Sequence, residues 1–169
     1  VGLAAVQVAV ALGANVKAVD VAEPKLRAAE RFGAKATIDA SKASDLGKAI
    51  RQATGGVDVA AEIIGKPATI AGAVEAVRPG GRVVVVGYSE TPATINASRV
   101  MFREIEILGS LGCGLQDFPK VIDLVARGKV DAKALVTHRF PLERTAEALT
   151  LLESSAPDLI RAVVVPGGI

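Results

Sequence analysis

The chain has 169 residues, 50% of them hydrophobic and 22% charged, which is the balance of a folded globular domain and not of a disordered segment. Its net charge is +2, with the basic residues scattered along the sequence, which excludes the clustered basic face of a nucleic-acid binder. One Cys and one His exclude a disulfide scaffold and most zinc sites built from these residues alone, and the longest apolar runs, such as Val83–Val86, are far too short to span a bilayer.

Aromatic residues make up only 3%, so the core is expected to be Ala, Val, Ile and Leu. Residues 2–13 are almost wholly apolar, with Gln7 the one polar side chain, and their Ala- and Leu-rich composition without Pro predicts a buried helix stopped by Gly13. Asn15–Asp20 predicts a short strand ending in an acid. Glu23-Pro24 opens a helix with Pro in the first turn, where its missing N–H costs nothing; Leu26 and Ala29 mark its inner face and Gly33 caps it. Ala36–Asp39 reads as a strand. Ser41 or Ser44 is expected to start a helix carrying Leu46, Ile50 and Ala53, ended by Gly55-Gly56. Val57–Ile64 is a strand, Pro67–Val77 a helix, and Pro79-Gly80-Gly81 a turn. Arg82–Val86, a valine run bounded by glycines, suits a strand buried on both faces of a parallel sheet. Glu104–Leu108 is a further strand. Residues 116–127 form an amphipathic helix, because Phe118, Val121, Ile122 and Val125 fall at helical spacing. In the tail, Leu135–Phe140 reads as a strand, Leu142–Leu152 as a helix and Arg161–Val165 as a last strand.

Strand and helix alternate throughout, which predicts a doubly wound α/β sheet, since parallel strands need helical crossovers. Residues 1–130 are expected to form this domain. Residues 131–169 change character and read either as one more βαβ unit or as a segment that packs on a different domain.

A helix N-terminus that follows a strand and a glycine turn offers N–H groups and a positive dipole end to a phosphate. Here Gly2 opens the first helix, and Asp20 closes the next strand 18 residues further on. In a dinucleotide fold the acid at that place binds the ribose hydroxyls. Folds that bind S-adenosylmethionine place an acid similarly, so the spacing leaves the ligand open.

Val1-Gly2-Leu-Ala-Ala-Val-Gln resembles the closing half of the glycine fingerprint of the medium-chain zinc alcohol dehydrogenases. In the same order follow Ala18-Val-Asp20 with Lys25, Arg31-Phe-Gly-Ala34, Gly56-Val-Asp-Val59, Arg78-Pro-Gly-Gly-Arg-Val83, Glu106-Ile-Leu-Gly-Ser110, Thr137-His-Arg-Phe-Pro-Leu142, Glu147-Ala-Leu149 and Arg161-Ala-Val-Val-Val-Pro166. The resemblance covers nearly the whole chain. It implies a doubly wound (Rossmann) sheet lacking its first strand, with residues 131–169 as the segment that returns to a catalytic domain. It also assigns roles. Gly2 is the last fingerprint glycine, and Val1 packs near the nicotinamide. Asp20 accepts the adenosine ribose hydroxyls, assisted by Lys25, and its carboxylate repels a 2′-phosphate, which favours NAD over NADP. Ile64 and Gly65 line the adenosine side. Gly87, Tyr88, Ser110 and Leu111 border the nicotinamide, and Arg161 reaches the pyrophosphate with its fork of donors.

The family's catalytic zinc and proton relay come from a domain that this chain does not contain. No catalytic or metal-binding residue is therefore assigned here; the chain is expected to be truncated at its start and inactive alone, with zinc held elsewhere in the full-length protein. His138 and Cys113 are read as structural, and Glu62, an acid within an apolar strand, is left either paired or facing a cleft. The expected substrate is a small alcohol or carbonyl compound, with no nucleic-acid or membrane partner. Val1 and the residues after it show no basic signal-type region, so no signal segment and a cytoplasmic location are expected. The resemblance further implies a homodimer or homotetramer, with Glu104–Leu108 as the candidate edge strand. Two other classes stay open: a zinc-independent quinone or enoyl reductase of the same superfamily, and a non-catalytic nucleotide-binding module.

Overall fold

In the computed structural model, residues 1–154 and 156–167 are described. In chain order the elements are α1 (Gly2–Ala11), β1 (Lys17–Asp20), α2 (Glu23–Arg31), β2 (Ala36–Asp39), α3 (Leu46–Thr54), β3 (Val57–Glu62), α4 (Pro67–Ala76), β4 (Val77–Val85), α5 (Ala97–Phe102), β5 (Glu106–Gly109), α6 (Asp117–Ala126), β6 (His138–Pro141), α7 (Thr145–Glu153) and β7 (Ala162–Val165). Every strand pair is parallel, as the alternation of strand and helix predicts. The strands form separate sheets in the orders β1-β2, β3-β4-β5 and β6-β7.

The chain divides into two compact units, Val1–Ser41 with Gly114–Ile169, and Lys42–Cys113. In the first, α2 packs on β1 and β2 through the buried Leu26, Ala28 and Ala29. The buried Gln7 of α1 is held by the main chain of Asp131, donating to its carbonyl at 3.1 Å and accepting from its N–H at 2.6 Å. A polar side chain in an otherwise apolar helix is thereby satisfied at both ends of its amide. In this unit α7 lies against the β6-β7 pair, with Phe140, Ala148 and Leu159 buried.

The second unit is the more regular. Val77 and Val83 of β4 are fully buried, and with Ala73, Val74 and Ile105 they form its core. β4 lies between β3 and β5, but the expected burial of its valine run on both faces is only partly met: Val83 is buried, Val84 and Val85 are half-buried and Val86 is exposed. α3 and α4 pack against each other so closely that a Cβ on Gly47 would lie 2.1 Å from the Glu75 side chain.

Several boundaries differ from the sequence expectation, each for a local reason. α3 starts not at Ser41 or Ser44 but after Asp45, whose carboxylate accepts the Lys48 N–H at 2.9 Å as the helix cap. Pro79-Gly80-Gly81 is not a turn between a helix and a later strand. It lies inside β4, where residues 78–81 bulge out between the Val57–Val77 and Val59–Arg82 pairs. The short helix α5 was not expected, because six residues carry no readable period; its cap, Asn96, accepts the Arg99 N–H. β5 begins at Glu106 rather than Glu104, since Glu104 has φ 51° and closes α5. In the tail, 3-10 turns at Lys133–Leu135 and Leu142–Arg144 shorten the expected strand and helix. The periodic face of α6 forms, but Phe118, Val121, Ile122 and Val125 stay exposed on it.

Candidate functional site

In an open parallel sheet, ligands bind beyond the carboxyl ends of the strands. The sequence-predicted site residues fall into two groups, one in each unit; Asp20 and the whole second group stand at such ends, whereas Val1 and Gly2 open α1 and Arg161 precedes β7.

In the first unit, Asp20 is the last residue of β1. Its Oδ1 accepts the Val21 and Ala22 N–H groups, at 2.8 and 2.9 Å. This turn fixes the carboxylate just before α2, and its second oxygen, Oδ2, has no partner among the described residues. Lys25 follows one turn into α2, half-buried and without an ion pair among the described residues. Val1 and Gly2 form the start of α1, where no side chain caps the helix. The Val1 amino group has its pKa lowered, first by burial and then by the positive charges of Arg161 and Lys25. Arg161, immediately before β7, is exposed. Its carbonyl accepts the Thr137 and His138 N–H groups, while its guanidinium has no partner among the described residues. Unpaired cations and an uncapped helix N-terminus are each features that favour an anion.

In the second unit the predicted residues lie at the ends of three adjacent strands. Ile64 and Gly65 follow β3, Gly87 and Tyr88 follow β4, and Ser110 and Leu111 follow β5. Main-chain bonds continue the ladder past the strands: Val86 and Gly87 N–H both donate to the Glu62 carbonyl, at 2.8 and 3.0 Å, and Ser110 N–H to the Val85 carbonyl at 2.9 Å. The first two loops touch without slack. A Cβ on Gly65 would lie 2.0 Å from the Tyr88 carbonyl oxygen, and one on Gly87 would lie 2.1 Å from the Gly65 nitrogen. Gly65 also has φ 79°, a left-handed conformation that side chains resist. Tyr88 presents backbone to this contact while its ring is 83% exposed. Ile64 and Leu111 are exposed, at 54% and 101%.

One residue of this site had no assigned role in the sequence. Glu62, the last residue of β3, is 4% exposed. Its Oε1 accepts Ile64 N–H and Gly65 N–H, both at 2.9 Å, and lies 2.8 Å from the Thr69 hydroxyl; its Oε2 lies 3.1 Å from the Gly65 nitrogen. The acid is paired with its own loop and does not face a cleft. The available signal was an acid closing an apolar strand, with Gly65 and Thr69 at short spacing after it.

The two side chains that most resemble catalytic groups lie elsewhere. His138 contacts the Thr137 hydroxyl through Nδ1 at 3.0 Å and stands 4.0 Å from Asp158. Cys113 is an exposed free thiol in the loop after β5. Among the described residues, no group of three or more His, Cys, Asp and Glu side chains could hold a metal ion.

The chain is similar to a large set of known proteins. Residues 1–127 match the family profile described as zinc-binding dehydrogenase. Sorbitol dehydrogenase of Bacillus subtilis (strain 168) is 35% identical over 170 residues, which cover 98% of this chain and 48% of that protein. The crystal structure of 2R,3R-butanediol dehydrogenase from Bacillus subtilis superposes with a TM-score of 0.87 at 28% identity, over 98% of this chain and 48% of that one. A zinc-binding dehydrogenase structure from Sinorhizobium meliloti 1021, described as bound to NADP, gives a TM-score of 0.86 at 26% identity, over 97% of this chain and 49% of that one. The chain spans about half the length of the curated relatives it matches. By the residues that match and the order of the motifs along them, the chain belongs to the zinc-binding dehydrogenase family, that of the medium-chain zinc-dependent alcohol dehydrogenases.

Proposed function

We propose that this chain is the cofactor-binding part of an NAD-dependent dehydrogenase acting on a small alcohol or its carbonyl counterpart. The carrying observation is Asp20, whose Oδ1 is tied to the turn after β1 while Oδ2 is left for a ligand. A carboxylate so held accepts hydrogen bonds from the vicinal hydroxyls of an adenosine ribose and repels a phosphate at the 2′ position. That charge favours NAD here, although the Sinorhizobium meliloti neighbour is described as bound to NADP.

The rest of the chain fits such a cofactor. The start of α1 with Lys25 and Arg161 supplies positive charge for the pyrophosphate. Gly65 and Gly87 leave the loop backbone bare, where a Cβ on either would collide, so Ile64, Gly65, Gly87 and Tyr88, with Ser110 and Leu111, offer main-chain groups to the remainder of the dinucleotide. When bound, the nicotinamide supplies the hydride acceptor or donor; the chain's own residues bind and orient it. They do not fit a zinc ion, since the described side chains hold no suitable cluster. Zinc ligands and most of the substrate pocket are assigned to the remainder of a longer protein. In this assignment residues 1–130 form the cofactor domain and 131–169 the segment returning to the catalytic domain, in a cytoplasmic homodimer or homotetramer.

Sorbitol dehydrogenases and butanediol dehydrogenase among the similar proteins point to polyols and diols as first substrates. The test is the full-length protein with NAD and a panel of diols and polyols, and with NADH and the matching ketones, followed by nicotinamide absorbance. Turnover with at least one pair is expected. No turnover in either direction across the panel would overturn the activity.

A further inference from the structure

Glu62 is a carboxylate buried in an apolar strand end without a cation. No Lys, Arg or His pairs with it among the described residues, so its charge is held only by Ile64 N–H, Gly65 N–H and the Thr69 hydroxyl. Burying an unpaired charge is costly, but an apolar residue here would leave the buried Gly65 N–H without its acceptor. What the acid provides is geometry. Its side chain grips residues 64 and 65 and the first turn of α4, while its carbonyl holds Val86 and Gly87 N–H at the end of β4. The two gripped loops meet backbone to backbone, Gly65 on Tyr88 and Gly87 on Gly65, with no room for a methyl group. Any shift of residues 64–65 must therefore move residues 87–88.

Resting on the dinucleotide reading above, we propose that Glu62 is a positioning residue: it locks the loops after β3 and β4 together and so fixes, as one unit, the main-chain groups that both offer to the cofactor. Neither cofactor nor substrate touches its carboxylate. In Glu62→Gln the shape persists, but an NH₂ group replaces one oxygen. With its carbonyl on the Oε1 side it turns a donor toward Gly65 N–H, and the charge that strengthened the remaining bonds is gone. Thr69→Val removes the hydroxyl from Oε1 and, with it, the hydroxyl's bonds to the Lys66 carbonyl and N–H at the start of α4, while leaving the Glu62 carboxylate and its two main-chain bonds in place.

The experiment uses the full-length protein and measures NADH affinity, the fluorescence of bound NADH and the thermal midpoint for Glu62→Gln, Thr69→Val and Val83→Ala. Val83 is a fully buried core residue of the same sheet with no place at the loops. The expected result is an NADH Kd raised about tenfold in Glu62→Gln and about threefold in Thr69→Val, with changed nicotinamide fluorescence. Val83→Ala is expected to lower the thermal midpoint while leaving the Kd within about twofold of wild type. A wild-type Kd in Glu62→Gln overturns the proposal, as does equal loss of affinity in Glu62→Gln and Val83→Ala. Should Glu62→Gln not fold, Thr69→Val decides: an unchanged Kd and unchanged fluorescence overturn the positioning role. A wild-type protein that binds neither NADH nor NADPH overturns the dinucleotide reading and this role with it; wild-type binding with an indifferent Glu62 overturns the role alone.

Discussion

At Gly65 two separate restrictions meet. The residue has φ 79°, and a Cβ there would sit 2.0 Å from the Tyr88 carbonyl oxygen. Left-handed backbone costs an L-residue about 1–2 kcal/mol, and the collision is with backbone, which cannot rotate away. Gly65→Ala is therefore expected to destabilise the protein by about 2–4 kcal/mol, a size reserved for strain at special backbone positions and core damage. Denaturant unfolding with an unchanged m-value measures it, and a loss under about 1 kcal/mol would show that the loop has slack. The contrast with Gly2 is informative. Nothing lies within 4 Å of a Cβ there, so that glycine answers to no packing demand within this chain. The place of Asp20 was legible from sequence, because the short β-branched run before it ends there. Glu62 was not, because its partners are main-chain N–H groups whose positions depend on a turn that no residue pattern announces.

Among the elements, α1, α2 and α6 end in the same way. The N–H of Gly13, Gly33 or Gly128 bonds back to the carbonyl three residues earlier, that of the penultimate helical residue, and the next N–H bonds one residue deeper, with glycine in the left-handed region. α5 ends with the same two bonds, Glu104 N–H to the Met101 carbonyl and Ile105 N–H to the Val100 carbonyl, but with Glu104 at φ 51° in the glycine place. The buried Ile105 packs with Val100 and holds the turn despite the strain. Glu104→Gly is thus expected to stabilise the protein by about 0.5–1 kcal/mol, since the strain removed exceeds the chain entropy added. A lowered thermal midpoint would contradict it. These ends also mark what the sequence made visible. The glycine-closed ends of α1, α2 and α6 and the valine-rich end of β4 were placed within a residue or two. α5 was missed because its stop is a glutamate, and the start of β4 was missed because Pro79-Gly80-Gly81 signals a turn whether the strand ends there or merely bulges. The apolar stripe of α6 gave the helix correctly but not its cover, since periodicity shows that a face is apolar without showing what lies on it.

For the whole molecule, composition and family membership pull in different directions until the chain's extent is considered. One His and one Cys do not make a zinc enzyme, yet the chain belongs to a zinc-binding dehydrogenase family and spans about half the length of its curated relatives. In the proposed reading, this chain contributes a cofactor site: strand ends, bare glycine backbone, the unpaired cations Lys25 and Arg161, and Asp20 as the ribose acid. The central claim is that this apparatus is set for NAD by Asp20. Calorimetric titration of the full-length protein with NADH and with NADPH, at the same salt concentration, tests it most directly. NADH is expected to bind at least tenfold more tightly, a difference of about 1.4 kcal/mol arising from the Asp20 carboxylate facing hydroxyls in one case and a phosphate in the other. Tighter binding of NADPH would contradict the account.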